Sequence, residues 1–440
     1  MSNINKAQVN GTNRTKSTIS FWVKRGTLGA DQKIFQFKYG SAEYLMKFKS
    51  NDQIHLYTYN GSSYIGRIET NRVFRDPAAW YHFHIQVDTT DATAGNRFRF
   101  YVNGEQETSL LNSTTPSQND NFDLSTSNYH LYIGSQSNGG DAFSGSFTHF
   151  HYTDGYSYAP TVFGETDSTS GIWVPKTAPS VTYGTNGFFL KFENSANMDL
   201  DSSGNNLTFT TSGTITQNID TPTNNFITIN PLDNTFSSNS FANGNTAFTT
   251  GGNYSYCQST IYLDTGKWYW ECKPVSKTGG GDEYMIGIQG KSVTATNSPA
   301  QSNNGYTIYA TDGQVYGWGA TASYGSAYTA GDIIGVALDC TNNKIYWSKN
   351  GTFMGSGNPA SGSNGYSINA ANTAAQGGYS PVAGFYASNN AVFNFNFGNG
   401  YFGTTAVSSA NADGNGVGAF EYSVPSGYYA ICSENIKEFG

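Results

Sequence analysis

Hydrophobic and polar residues alternate with a period of two over much of this chain. Thr18-Ile-Ser-Phe-Trp-Val, Lys33-Ile-Phe-Gln-Phe-Lys, Gln53-Ile-His-Leu-Tyr-Thr-Tyr, Tyr81-His-Phe-His-Ile-Gln-Val and Arg97-Phe-Arg-Phe-Tyr-Val each send every second side chain to one face. That is the pattern of a strand with one side buried. Asn-Gly pairs at Asn60-Gly61, Asn103-Gly104 and Asn350-Gly351 follow or separate such runs, where both residues can take the positive φ of a tight hairpin. Antiparallel meanders follow. No dozen-residue window keeps a helical apolar stripe free of Gly, Pro and β-formers, so almost no helix is expected.

Composition sharpens the picture. Of 440 residues, 37% are hydrophobic and 12% charged, but 15% are aromatic, and there are 51 glycines. Burial must therefore rest on rings, and the abundance of turn formers fits an all-β fold. So many aromatics with so little charge argue against disorder, and no apolar run is long enough for a membrane-spanning helix. The net charge of −8 opposes nucleic-acid binding, which needs a dense field of Lys and Arg. Cys257, Cys272, Cys340 and Cys432 are widely spaced, with no metal-finger pattern, and are expected to be buried free thiols. The segment after Met1 has no apolar stretch of the secretory kind, so synthesis in a cytoplasm without export is expected.

The character changes near residue 160. Residues 1–160 form one strand-rich block. Residues 161–235 read as a Pro/Gly/Asn-rich connector with short strands, 236–400 as a second strand-rich block, and 401–440 as a final ordered segment. The expected architecture is all-β, two antiparallel β-sandwich (jelly-roll) domains joined by the connector.

In the first block, Ser17-Thr-Ile-Ser-Phe-Trp-Val-Lys-Arg, Trp80-Tyr-His-Phe, Phe98-Arg-Phe-Tyr-Val-Asn-Gly, His130-Leu-Tyr-Ile-Gly and Phe143-Ser-Gly-Ser-Phe together resemble the laminin-G-like, concanavalin-A-like lectin family. In the second, Gly266-Lys-Trp-Tyr-Trp-Glu, Ile286-Gly-Ile, Gly331-Asp-Ile-Ile-Gly-Val-Ala-Leu-Asp, Lys344-Ile-Tyr-Trp-Ser-Lys-Asn-Gly and Pro381-Val-Ala-Gly-Phe-Tyr resemble a SPRY domain. Connector pieces such as Gly171-Ile-Trp-Val-Pro-Lys, Tyr183-Gly-Thr-Asn-Gly-Phe and Asp201-Ser-Ser-Gly-Asn-Asn resemble marine tailed-phage structural proteins. These resemblances imply a non-enzymatic virion surface protein, a tail fibre or capsid-bound adhesin, that recognises a host glycan or envelope protein. They also imply other virion proteins as partners and a homotrimer as the expected assembly. The alternatives are a purely structural virion docking or decoration protein, a cellular lectin, and a glucanase-type hydrolase.

Hydrolysis in jelly-roll glucanases places acids as Glu-x-Asp-x-x-Glu. The nearest approach here, Glu165-Thr-Asp167-Ser-Thr-Ser170, lacks the third acid. All six histidines lie in the first block. Spacing of two puts His82 with His84, and His149 with His151, on one sheet face, as metal ligands, as contributors to a trimer axis, or simply as products of aromatic–polar alternation. Ca²⁺ is the usual ion of this sandwich family, and the turn holding Asp199, Asp201 and Asn205 offers it oxygens. Sugar binding needs exposed rings beside polar groups. The candidate loops carry Tyr57, Tyr59 and Tyr64 in the first domain and Tyr309, Tyr316, Trp318 and Tyr324 in the second. Trp22, Trp268, Trp270 and Trp347 are assigned to packing.

Overall fold

A computed structural model describes residues 2–122, 126–233, 239–252, 254–290, 305–317, 320–386 and 390–440. The chain divides into two compact units, Met1–Gln217 and Asn218–Gly440. Among the described residues the single α-helix is Ser433–Phe439. Each unit is built of antiparallel sheets, as the period-two pattern predicts.

In the first unit, an eight-stranded sheet runs in the order Leu110–Thr114, Tyr64–Val73, Gln53–Tyr59, Ala42–Phe48, Gln32–Tyr39, His130–Ile133, Asn3–Ala7 and Thr210–Ser212. A six-stranded sheet runs Phe188–Leu190, Gly145–Asp154, Lys16–Arg25, Trp80–Asp88, Phe98–Val102 and Glu105–Gln106. Alternate residues of the two sheets meet in one core: Phe35, Phe37, Tyr44, Met46 and Leu56 from the larger, Phe21, Phe83, Phe100 and Phe150 from the smaller. Phe21 stacks on Phe150 at 4.7 Å and meets Phe35 edge-on at 6.4 Å. Such pairs each add about 0.5–1.5 kcal/mol beyond the area they bury.

The stretch expected to be a connector is divided between the units. Phe188–Leu190 pairs with Phe150–Tyr152, and Thr210–Ser212 pairs with Asn3–Asn5, so both extend first-unit sheets. Residues 156–185 cross the outer face of the six-stranded sheet, where Phe163 is fully buried and the Trp173 indole donates to His82. The hairpin at Asn103-Gly104 has the expected positive φ at both residues, 50° and 84°. A Cβ on Gly104 would meet the Trp173 ring at 2.9 Å, so this turn also needs glycine for space. Asn350-Gly351 is similar, at 49° and 82°. Asn60-Gly61 is not: only Gly61 has positive φ, and the Asn60 side chain accepts from the Ser62 and Ser63 amides instead.

In the second unit, the larger sheet follows Ser240–Ala242, Ala247–Thr249, Ala391–Asn396, Lys267–Lys277, Ile334–Asp339, Lys344–Lys349 and Thr352–Phe353. It faces a six-stranded sheet of Ser255–Gln258, Ser380–Phe385, Tyr284–Gln289, Gly305–Tyr309, Gln314–Gly317 and Ala320–Ser323. Trp268, Trp270 and Trp347 are fully buried between them, and the Trp347 indole donates across the core to the Ile286 carbonyl at 3.0 Å. Trp22 is also buried, in the first unit. The four cysteines are free and buried.

Residues 401–440 fold back on this unit. Phe420 and Tyr428 are fully buried against Tyr269, Ala337 and Tyr346 of their own chain. Glu271 accepts from the backbone amides of Glu421 and Tyr422 at 3.0 and 2.9 Å, and Asn396 donates to the Ala419 carbonyl. Phe226, near the start of the unit, bridges Cys432 near its end, with the Ile227 amide donating to the Ile431 carbonyl.

Candidate functional site

The two outer faces of the first unit differ. That of the six-stranded sheet is sealed by residues 156–185. That of the eight-stranded sheet carries rings and charges, and the strand register fixes how they sit. Gln36, Leu45, Tyr57 and Arg67 lie in one cross-strand row, Lys38, Glu43 and Tyr59 in a second, and Lys47, His55, Glu69 and Asn112 in a third. Tyr132 continues the first row beside Gln36.

These side chains are interlocked. The Tyr57 hydroxyl donates to Glu43 Oε1 at 2.5 Å, Gln36 Nε2 donates to Glu43 Oε2 at 2.5 Å, and Lys38 pairs with the same carboxylate at 3.4 Å. Glu69 accepts from Lys49 and from Asn112. Burial opposes ionisation of Glu43 and Glu69, but these donors and charges outweigh it and hold both carboxyls below their ordinary range. Burial, then the bond to Glu43, raises the Tyr57 phenol. Above this layer the rings form a group: Tyr64 meets Tyr57 at 5.2 Å and Tyr59 at 5.5 Å, His55 lies 4.6 Å from Tyr57, and the Arg67 guanidinium sits 4.9 Å over Tyr64. Leu45 is fully buried beneath them. The result is a group of mutually tilted rings whose neighbouring carboxylates are already satisfied, suited to offer one ring to an apolar ligand face and bond its edge hydroxyls.

The structure therefore brings Tyr57, Tyr59 and Tyr64 together, but on strands rather than in a loop. The alternation of Gln53–Tyr59 runs to its last residue, and Tyr64 opens the next strand. Glu43, His55, Arg67 and Glu69 were missed. His55 was accessible through its spacing of two from Tyr57; the others join only through pairing register, which no local pattern encodes.

The histidine pairs do share a face, with the His82 and His84 rings 6.0 Å apart, and their surroundings favour packing over metal ligation or a trimer axis. His82, His84 and His151 are fully buried beneath residues 156–185. His82 Nδ1 accepts from Trp173, which leaves Nε2 to donate to Ser20. His84 Nε2 donates to the Tyr158 carbonyl, and His151 Nδ1 bonds the Tyr183 hydroxyl. His149 Nδ1 bonds Thr148 at a bulge. His82 Nδ1, His84 Nε2 and His151 Nδ1 tie the covering segment down, while His84 Nδ1 and His151 Nε2 are buried without a hydrogen-bond partner. Burial holds all four imidazoles below their ordinary range, His84 to about 3 and His149 to about 4.

The Asp199, Asp201 and Asn205 turn is held by its own hydrogen bonds. Asp201 Oδ1 accepts from the Phe189 and Ser203 amides, and Oδ2 from Ser203 Oγ and the Leu207 amide. Asp199 accepts from Thr211, and Asn205 directs its amide nitrogen at the Gly184 and Gly187 carbonyls. Donors fill both Asp201 oxygens. Among the described residues no three His, Cys, Asp or Glu gather as a metal-holding group. Asp167 caps a turn through Thr169 and Ser170, while Glu165 is exposed beside Lys176.

In the second unit, Tyr309 and Tyr316 pair at 5.1 Å on the outer face of the six-stranded sheet, again on strands, and are joined by Tyr386 and Tyr254. Tyr324 is separate, packed edge-on against Trp347 and Tyr366. Trp318 lies outside the described residues.

Comparison with known families agrees with this geometry. Residues 3–155 match the concanavalin A-like lectin/glucanases superfamily, and residues 267–400 match the SPRY domain. The chain carries a concanavalin A-like lectin domain followed by a SPRY domain. Over 92 residues it is 34% identical to Ran-binding protein 9 and 35% identical to Ran-binding protein 10, both of Danio rerio. Each match covers 20% of this chain and 15% of the relative, so the chain spans about 15% of the length of those curated relatives. Among solved structures, the SPRY domain of human HERC1 matches 36% of this chain and 94% of its own at 20% identity and a TM-score of 0.28. A heptameric pentraxin from Limulus polyphemus matches 40% and 87% at 16% identity and a TM-score of 0.27. Lectin-like and SPRY domains are typically non-catalytic binding modules, and the pairing indicates a binding or adhesion role.

Proposed function

We propose that this chain is a non-enzymatic recognition protein of a virion surface: the outer sheet face of its lectin domain holds a host saccharide, and its SPRY domain engages a protein partner. The observation that carries the saccharide part is the ring group of Tyr57, Tyr59 and Tyr64 over a layer of satisfied carboxylates. The virion setting rests on the phage-like connector motifs. A single shallow face binds weakly, so adhesion calls for several copies acting together, and a homotrimer is the assembly we propose.

The test is binding of the full chain to immobilised host-cell glycans, beside Tyr57→Ala and Tyr64→Ala. Loss of one stacking ring should weaken binding about fivefold or more, since ring contacts are worth about 1 kcal/mol. Binding that survives both substitutions refutes the site. Native mass spectrometry tests the trimer, and immunogold labelling of assembled particles tests the virion setting. Labelled particles without glycan binding would favour the structural docking protein.

A further inference from the structure

On the outer sheet face Arg67 has neither an ion pair nor a side-chain hydrogen bond among the described residues, whereas Lys33, also without a carboxylate, donates to Gln136 at 2.8 Å. Lys38 pairs with Glu43, Lys47 with Asp31 and Lys49 with Glu69. Among the described residues no carboxylate pairs with Arg67. Its cross-strand neighbours are Tyr57 on one side and Thr114 on the other, and its Nε is buried without a hydrogen-bond partner. His55 Nε2, in the adjacent row, is likewise buried without one. The guanidinium lies over the Tyr64 ring, at the edge of the ring group.

We infer that Arg67 makes this face selective for acidic saccharides, its guanidinium fork receiving a carboxylate or sulfate group of a sugar held against the Tyr57, Tyr59 and Tyr64 ring group. The inference rests on the saccharide reading above and adds the ligand's charge class. Three facts support it. Guanidinium presents two parallel donors that match a planar carboxylate or a sulfate edge. The nearby carboxylates do not repel such a ligand, because Glu43 and Glu69 are engaged by Lys38, Gln36, Tyr57, Lys49 and Asn112. The chain as a whole is acidic, at −8, so a polyanion gains nothing from its general field and any attraction must be local.

The experiment is affinity electrophoresis of the full chain in gels containing polygalacturonate, dextran sulfate, fully methyl-esterified pectin or neutral dextran, beside Arg67→Gln and Arg67→Lys. Retardation by polygalacturonate identifies a carboxylate ligand, and retardation by dextran sulfate alone a sulfate; either supports the inference. A charge-assisted bond of about 1.5–3 kcal/mol predicts that Arg67→Gln weakens the interaction at least about tenfold. Arg67→Lys, which keeps the charge but not the fork, should fall between, and also guards against a folding defect in the glutamine variant. Equal retardation of wild type and Arg67→Gln overturns the inference. Equal retardation in acidic and neutral gels overturns it while leaving the saccharide site standing. No retardation in any gel overturns both.

Discussion

The buried histidines make the lectin domain acid-labile, with a sign and size that can be worked out. His84 is fully buried, and desolvation lowers its imidazole from 6.5 to about 3. At pH 5 an unfolded chain protonates this residue almost completely while the folded one does not, so unfolding takes up close to one proton at this position. Stability therefore falls as pH drops below the unfolded value of 6.5, and the loss continues until the folded pKa is reached. At pH 5 the loss is about 2 kcal/mol from His84 alone. His82 and His151, equally buried and shifted in the same direction for the same reason, add to it. Against a typical domain stability of about 5–15 kcal/mol, this is a large fraction. The SPRY domain has no histidine, all six preceding residue 152, so its transition carries none of this effect. Calorimetric scans of the full chain from pH 7 to 4.5 should show the lectin transition moving down steeply, and His84→Phe should reduce that slope by close to one proton. A lectin transition unmoved between pH 7 and 5, or an unchanged slope in the variant, would refute the reasoning.

The same scans carry a second expectation. Burial raises the Glu271 carboxyl to about 7 against its donors from Glu421, Tyr422, Asn396 and Tyr269. The Glu271 contribution to the SPRY domain should thus be full below the unfolded value near 4.5 and be lost as pH rises through about 7, opposite to that of the lectin histidines. Phe420→Ala should destabilise the SPRY domain by about 3–5 kcal/mol in urea titrations, because the ring is fully buried against Tyr269; a loss below about 1 kcal/mol would show the tail to be dispensable. Because donors fill the Asp201 oxygens, excess Ca²⁺ or a chelator should leave both melting transitions in place, and a shift of several degrees with either would reopen the metal question. Asp201→Ala should cost the lectin domain about 2 kcal/mol or more by stranding buried amides.

The fold was legible because rings at alternate positions report burial locally. Phe35, Phe37, Phe83 and Trp347 need no tertiary information to be placed inside. The site was less legible, because membership depends on which strands pair. Tyr57 and Tyr59 declare themselves by spacing, whereas Arg67 joins them only through the register of Gln53–Tyr59 with Tyr64–Val73. The histidine pairs illustrate a different limit. Their shared face was predictable from spacing, but what covers that face arrives from Tyr158, Trp173 and Tyr183, whose return across the sheet leaves no local trace. The Asp199–Asn206 turn misled for a related reason: oxygen-rich composition is the same whether carboxylates await a cation or are already spent on backbone amides.

The bridge between Phe226 and Cys432 places the entry and exit of the second unit side by side. A domain whose ends meet can be set into a surface loop of another protein through short linkers, or given new ends elsewhere on its rim, without stretching its sheets. The module is thus portable as a unit, and its arrangement suits shuffling between otherwise unrelated chains.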